Sequence, residues 1–86
     1  MDDQTLKVYG YVISSRYRTN VLKALEDEVL MPKEIAEKSG VKINHISKVL
    51  NELKSAGVAE CINEEVRKGR LYRLTAMGEE IVDNLD

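Results

Sequence analysis

Asn44, Lys48, Asn51 and Ser55 recur at spacings of four, three and four residues. That interval sets side chains on one face of an α-helix. All four are polar, and Lys, Asn and Ser are types that hydrogen-bond base edges or phosphate oxygens in a duplex major groove. In the same segment Ile46, Val49, Leu50 and Leu53 form an apolar stripe. With Ile46 at the centre of the buried side, the four polar residues lie opposite at 3.6 residues per turn, with His45 and Ser47 on the flanks. A helix in a groove reaches deepest near its N-terminus. Asn44, His45, Ser47, Lys48 and Asn51 are therefore candidates for base contact, and Lys54 for a phosphate. An ordinary solvated helix face would have the same composition, so a second feature must separate the two readings.

Charge supplies it. Residues 66–73 hold four bases, Arg67, Lys68, Arg70 and Arg73, and no acid. Arg67 and Lys68, beside Gly69, are the best candidates for outside contact, whereas Arg70 and Arg73 could instead pair with Glu60, Glu64 or Glu65 across a hairpin. The whole chain carries a net charge of -2, which excludes a generally basic protein. The sign is segregated, however. Residues 42–73 contain seven bases and four acids, +3, while residues 74–86 contain four acids and no base, -4. Arg16 and Arg18 could add phosphate contacts, although plain surface solvation accounts for them more simply.

Other chemistries find little support. No Gly-rich phosphate loop, Ser/His/Asp set or isolated carboxylate pair is present, so no catalytic residue is expected. One Cys (Cys61) and one His (His45) cannot build a metal site within the chain, and no cofactor is expected. Cys61 reads as a small core residue. The longest apolar run, Val8 to Ile13, is too short to span a bilayer, and the first residues lack a secretory pattern. The cytosol is the expected location. At 86 residues the chain is a single domain, and without Phe or Trp its core must be built from Leu, Ile and Val.

Elements follow from periodicity and caps. Asp3–Ile13 reads as a helix, with Leu6, Tyr9 and Ile13 on one face and Val8, Tyr11 and Val12 on the other, hence with two partners to satisfy. Ser14 or Ser15 caps a second helix over residues 16–26, with Tyr17, Val21, Leu22 and Leu25 inward. Pro32–Ser39 is a short helix with Pro in its first turn and Gly40 as a left-handed stop. Residues 43–56 form the strongest helix. Residues 58–63 and 70–74 are strand-like around a polar loop, and Thr75 caps a last helix with Met77, Ile81, Val82 and Leu85 inward.

In this order the chain resembles the winged helix-turn-helix transcription regulators, most closely small bacterial and archaeal regulators of the ArsR/MarR type. The resemblance rests on Pro32-Lys33-Glu34-Ile35-Ala36-Glu37-Lys38-Ser39-Gly40-Val41, on Ile46 through Val58, and on Arg67-Lys68-Gly69-Arg70-Leu71-Tyr72-Arg73-Leu74-Thr75 with the residues that follow. It covers roughly residues 15–83. It implies a mainly α fold with a small β-hairpin, in the order α-α-α-α-β-β-α, as one DNA-binding domain over residues 1–86. The helix-turn-helix would occupy 32–56, the wing 58–74 and the C-terminal helix 75–85. It further implies a sequence-specific double-stranded DNA-binding regulator, with the recognition helix 43–56 in the major groove. The wing loop 64–70, through Arg67, Lys68 and Arg70, would lie at the minor groove or backbone. A homodimer through the N-terminal segment and C-terminal helix is expected. The alternative is a winged helix used for protein contact in a larger complex. One departure is Lys42, which stands where the family has a capping Ser or Thr. Either Asn44 caps a helix that starts later, or the helix end frays until phosphate arrives.

Overall fold

The computed structural model describes residues 1–85, and these form five helices and a two-stranded antiparallel sheet. Helix α1 spans Asp3–Ile13, and the Asp2 carboxylate caps it by accepting a bond from the Thr5 N–H at 2.8 Å. That bond holds the Asp2 carboxyl below its ordinary pKa. The buried stripe of α1 is Thr5 and Val12, with Val8 and Tyr9 half-buried between them, while Leu6, Tyr11 and Ile13 are exposed. This corrects the expected division of faces. A helix packed on one side buries what lies at i, i+3/i+4 and i+7, and here that set includes a threonine.

Helix α2 is Arg16–Ala24, capped by Ser15 through its Oγ, and stops two residues short of the expected end. Glu26-Asp27-Glu28 would place three carboxylates at a helix C-terminus, where the backbone dipole repels them. The chain instead turns, with Asp27 in the left-handed region at φ 58°. Helix α3 covers Pro32–Ser39; the Glu34 carboxylate accepts the Met31 N–H at 2.8 Å, and Gly40 ends the helix at φ 75°. Helix α4 follows as Ile43–Ser55. Lys42 occupies its N-cap position without a side-chain bond, and the His45 N–H donates to the Lys42 carbonyl at 2.9 Å. Asn44 therefore lies inside the helix and does not cap it.

Strands β1 (Ala59–Cys61) and β2 (Tyr72–Leu74) pair antiparallel in the register Ala59–Leu74, Glu60–Arg73 and Cys61–Tyr72. Both are shorter than expected. Asn63 ends the ladder: its Oδ1 accepts the Leu71 N–H at 2.8 Å and its Nδ2 donates to the Gly69 carbonyl at 3.1 Å. A feature the sequence reading lacked is a bridge between Leu30 and Tyr72, with reciprocal N–H···O bonds of 3.0 and 2.9 Å. It ties the α2–α3 connection to β2.

Thr75 caps helix α5 (Ala76–Asp83) as expected, accepting the Gly78 N–H at 3.2 Å, and its hydroxyl donates to the Gly57 carbonyl at 2.6 Å. One side chain thus joins the exit of α4 to the start of α5. Val12, Val21, Leu22, Leu25, Ile35, Ile46, Leu50, Leu53 and Ile81 lie in one continuous core. Helix α4 seats on α2, α3 and β1, whereas α5 seats on α1, α2 and β2.

Gly78 is where α5 packs against the backbone of Val58, just before β1. A Cβ there would stand 2.0 Å from the Val58 carbonyl oxygen, which is backbone and cannot swing aside. In a helix interior Ala is better than Gly by about 1 kcal/mol. Overpacking against fixed atoms costs about 1–3 kcal/mol or more and outweighs that gain. Gly78→Ala is expected to lower unfolding free energy by about 2 kcal/mol, read as a lower urea midpoint by circular dichroism. Equal or higher stability would show that α5 does not pack on Val58 this closely.

Candidate nucleic-acid interface

Burial of the α4 stripe fixes which residues face out. Ile46, Val49, Leu50 and Leu53 are all at most 3% exposed. Asn44, Ser47, Lys48, Asn51 and Ser55 are exposed on the opposite side. None of those five side chains is engaged by a hydrogen bond or ion pair among the described residues. His45 is half-buried, its ring 5.3 Å from that of Tyr17 at a tilt of 40°. Tyr17, expected in the core, is 45% exposed and serves as a platform for His45.

The loop between the strands braces itself. The Arg70 Nε donates to the Val66 carbonyl at 2.7 Å and its Nη2 to the Glu64 carbonyl at 3.1 Å. With the two Asn63 bonds, this gives the loop a defined shape without a large core beneath it. Arg70, a candidate for outside contact, spends its guanidinium on the loop backbone. Arg73 pairs with Glu60 directly across the sheet, Nε to Oε2 at 2.7 Å, as one of the two readings of its role anticipated. Both groups are about half exposed, so the pair adds little stability. Arg67 and Lys68 remain exposed at the tip, with no ion pair among the described residues.

Lys54, in the last turn of α4, hydrogen-bonds the Glu64 carboxylate at the root of the loop. The loop is thereby tethered beside the C-terminal end of α4, so the polar face and the cationic tip belong to adjoining elements. Sequence spacing gave no sign of this pairing, since ten residues and a strand separate the partners. Shared hydrogen bonding lowers the Glu64 pKa and raises that of Lys54.

Two apolar residues of these elements are exposed: Ile43, the first residue of α4, at 57%, and Ile62, just after β1, at 43%. On a helical wheel Ile43 falls near the buried stripe. As the first residue of α4, it has no preceding turn to hold it against the core. Arg18 is mostly removed from solvent, with 13% of its side chain exposed, and points to other protein groups. The acids Glu79, Glu80 and Asp83 are exposed on α5. Among the described residues, no group of three or more His, Cys, Asp or Glu is placed to hold a metal ion, and no helix is long and apolar enough to cross a membrane.

The tether has a defined pH window. Glu64 has a depressed pKa, so its contribution is complete above the ordinary Glu range and is lost as pH falls through the depressed value. Lys54 has a raised pKa, so on the alkaline side the bond persists until pH passes that raised value. The Glu64 Cδ resonance is expected to titrate below the ordinary Glu midpoint, and to return to it in Lys54→Met. An unchanged midpoint in that variant would dissolve the tether. No family model, curated protein or solved structure matches this chain.

Proposed function

We propose that this chain is a winged helix-turn-helix protein that binds double-stranded DNA in a sequence-specific way and regulates transcription. In this reading α3 and α4 are the helix-turn-helix, α4 is the recognition helix in the major groove, and the loop between β1 and β2 is the wing. Asn44, Ser47, Lys48 and Asn51 contact bases or nearby phosphates, with His45 at their edge. Arg67 and Lys68 reach the minor groove or its flanking phosphates. Lys54 and Arg70 hold the wing in position. The observation that carries the reading is an unoccupied polar face on α4 together with a loop that has an unpaired cationic tip and is tethered at its root to the last turn of α4. Acids in α5, which seats on α1, α2 and β2, fit a division between a cationic working side and an anionic rear.

Leu6, Tyr11 and Ile13 are exposed on α1 at 53%, 40% and 49% and favour a homodimer through α1 and α5. A two-fold dimer would offer two recognition helices to successive major grooves, about 34 Å apart. Sedimentation velocity at micromolar concentration is expected to give a dimer that Leu6→Glu dissociates. A wild-type monomer would refute this interface.

A second reading, a winged helix that contacts protein, is favoured by the exposed apolar side chains of Ile43 on α4 and Ile62 after β1. Selection of bound duplexes from a random pool, at two salt concentrations, separates the readings. DNA binding predicts an enriched site and an affinity that falls steeply with salt. Lys48→Ala should weaken binding to that site about 5- to 100-fold if Lys48 reads a base, with relaxed preference at one position. Arg67→Ala should lower affinity evenly across sequences and reduce the salt slope by about 1. No enrichment, together with wild-type binding in both variants, would leave the protein-contact reading in its place.

A further inference from the structure

Arg18 joins three helices through one side chain. It starts in α2, and its Nε donates to the Tyr11 carbonyl at the end of α1, at 2.9 Å. Its Nη2 donates to Ser14 Oγ at 2.9 Å, and that hydroxyl in turn donates to the same Tyr11 carbonyl at 2.7 Å. Its guanidinium carbon lies 3.9 Å from the centroid of the Tyr11 ring. Its Nη1 reaches across to Glu52 Oε1 in α4, at 3.3 Å. The two ion-pair side chains are 13% and 27% exposed, less as a pair than Lys38–Glu28, Lys54–Glu64 or Arg73–Glu60, so solvent screens this pair less than those.

We infer that Arg18 is a positioning residue that sets the rotation of α4 against the end of α1, and so determines sequence selectivity without touching DNA. The inference rests on the DNA-binding reading above. Glu52 immediately follows Asn51 and lies one helical turn after Lys48, so the pin acts on the turn that carries two groove-facing side chains. Hydrophobic burial of the α4 stripe is non-directional and tolerates small rotations of the helix. A planar fork held by a carbonyl, a hydroxyl, a ring face and a carboxylate does not. Base readout requires side chains held within about 0.5 Å and 10–20° of their working geometry, which makes a directional restraint at Glu52 consequential. Arg18 also grips the C-terminal end of α1, where exposed Tyr11 and Ile13 lie. Any displacement of that end is therefore passed to α4 through one guanidinium.

The alternative role for Arg18 is direct phosphate contact, and the two roles differ in what they change. A pin alters the ratio of specific to non-specific affinity. A phosphate ligand alters both affinities alike, together with the salt slope. For Arg18→Gln and Glu52→Ala, the expected result is a fall of about tenfold in the ratio of selected-site to random-duplex affinity, with the double variant no worse than either single one. The random-duplex salt slope of Arg18→Gln should stay as in wild type. Arg18→Lys, which keeps the charge and loses the fork, should not restore the ratio. It also serves as the test variant if Arg18→Gln does not fold. Mere loss of stability would lower both affinities through the folded fraction and leave the ratio unchanged. An unchanged ratio, or a slope reduced by about 1, would overturn the proposal. A measurement without DNA keeps the two readings apart. In Arg18→Gln, or in Arg18→Lys, backbone amide resonances of α4 should shift from Ser55 back to Lys48. Shifts confined to Tyr11, Ser14 and Glu52 would refute the pin even if the wild type selected a site. Failure of the wild type to select any site would instead refute the DNA reading and leave the amide result to decide the pin.

Discussion

The arrangement of this molecule depends on the burial of one stripe. Ile46, Val49, Leu50 and Leu53 are withdrawn from water against α2, α3 and β1. Each contributes about 1.5–3 kcal/mol relative to exposure, so together they favour one orientation of α4 by about 6–12 kcal/mol before entropy is counted. No polar pair on the outer face competes on that scale, because exposed hydrogen bonds and ion pairs are worth at most about 1 kcal/mol each. Asn44, Ser47, Lys48 and Asn51 therefore face solvent because of what lies behind them. The same burial leaves their hydrogen-bonding capacity free for a partner.

The small core shifts part of the structural work onto polar side chains. Asn63 closes the hairpin loop, Arg70 fills it from within, Thr75 links α4 to α5, and Arg18 links α1, α2 and α4. Each bond is individually modest. Each is also directional, and direction is what a core of Leu, Ile and Val lacks. Basic residues consequently fall into two groups. Arg18 and, within residues 42–73, Lys54, Arg70 and Arg73 are engaged by the fold, and Lys42, Lys48, Arg67 and Lys68 are not. A count of positive charges in this region overstates what is available to an outside anion.

Much of this was legible in the amino-acid order. The α4 stripe, the Pro32 start, the Gly40 stop and the Thr75 cap are local signals, each decided within about four residues, and the structure carries all of them. The errors fall where the deciding partner is distant in sequence. Tyr17 looked like a core residue because its spacing fits Val21, but His45 offered it an exposed ring contact instead. Thr5 is buried although nothing in its type announces it. Leu30 pairs with Tyr72 across more than forty residues. Lys54 and Glu64 lie too far apart in sequence for a periodicity argument, and only the fold of the hairpin over α4 joins them.

The electrostatics follow from the same division. A net charge of -2 would oppose approach to a polyanion if charge were spread evenly. Here Lys48 is exposed on α4 and Arg67 and Lys68 on the loop tethered to it, while Glu79, Glu80 and Asp83 are carried by α5, which seats on α1, α2 and β2. Screening lengths near 8 Å at physiological salt make the nearest charges dominate the field at a surface. In the DNA-binding reading proposed above, so few free cations give weak long-range attraction, and discrimination between partners comes from the shape and hydrogen-bonding pattern of the α4 face. That places the weight of recognition on how exactingly α4 is oriented, and therefore on the directional contacts that join it to α2 and to the hairpin.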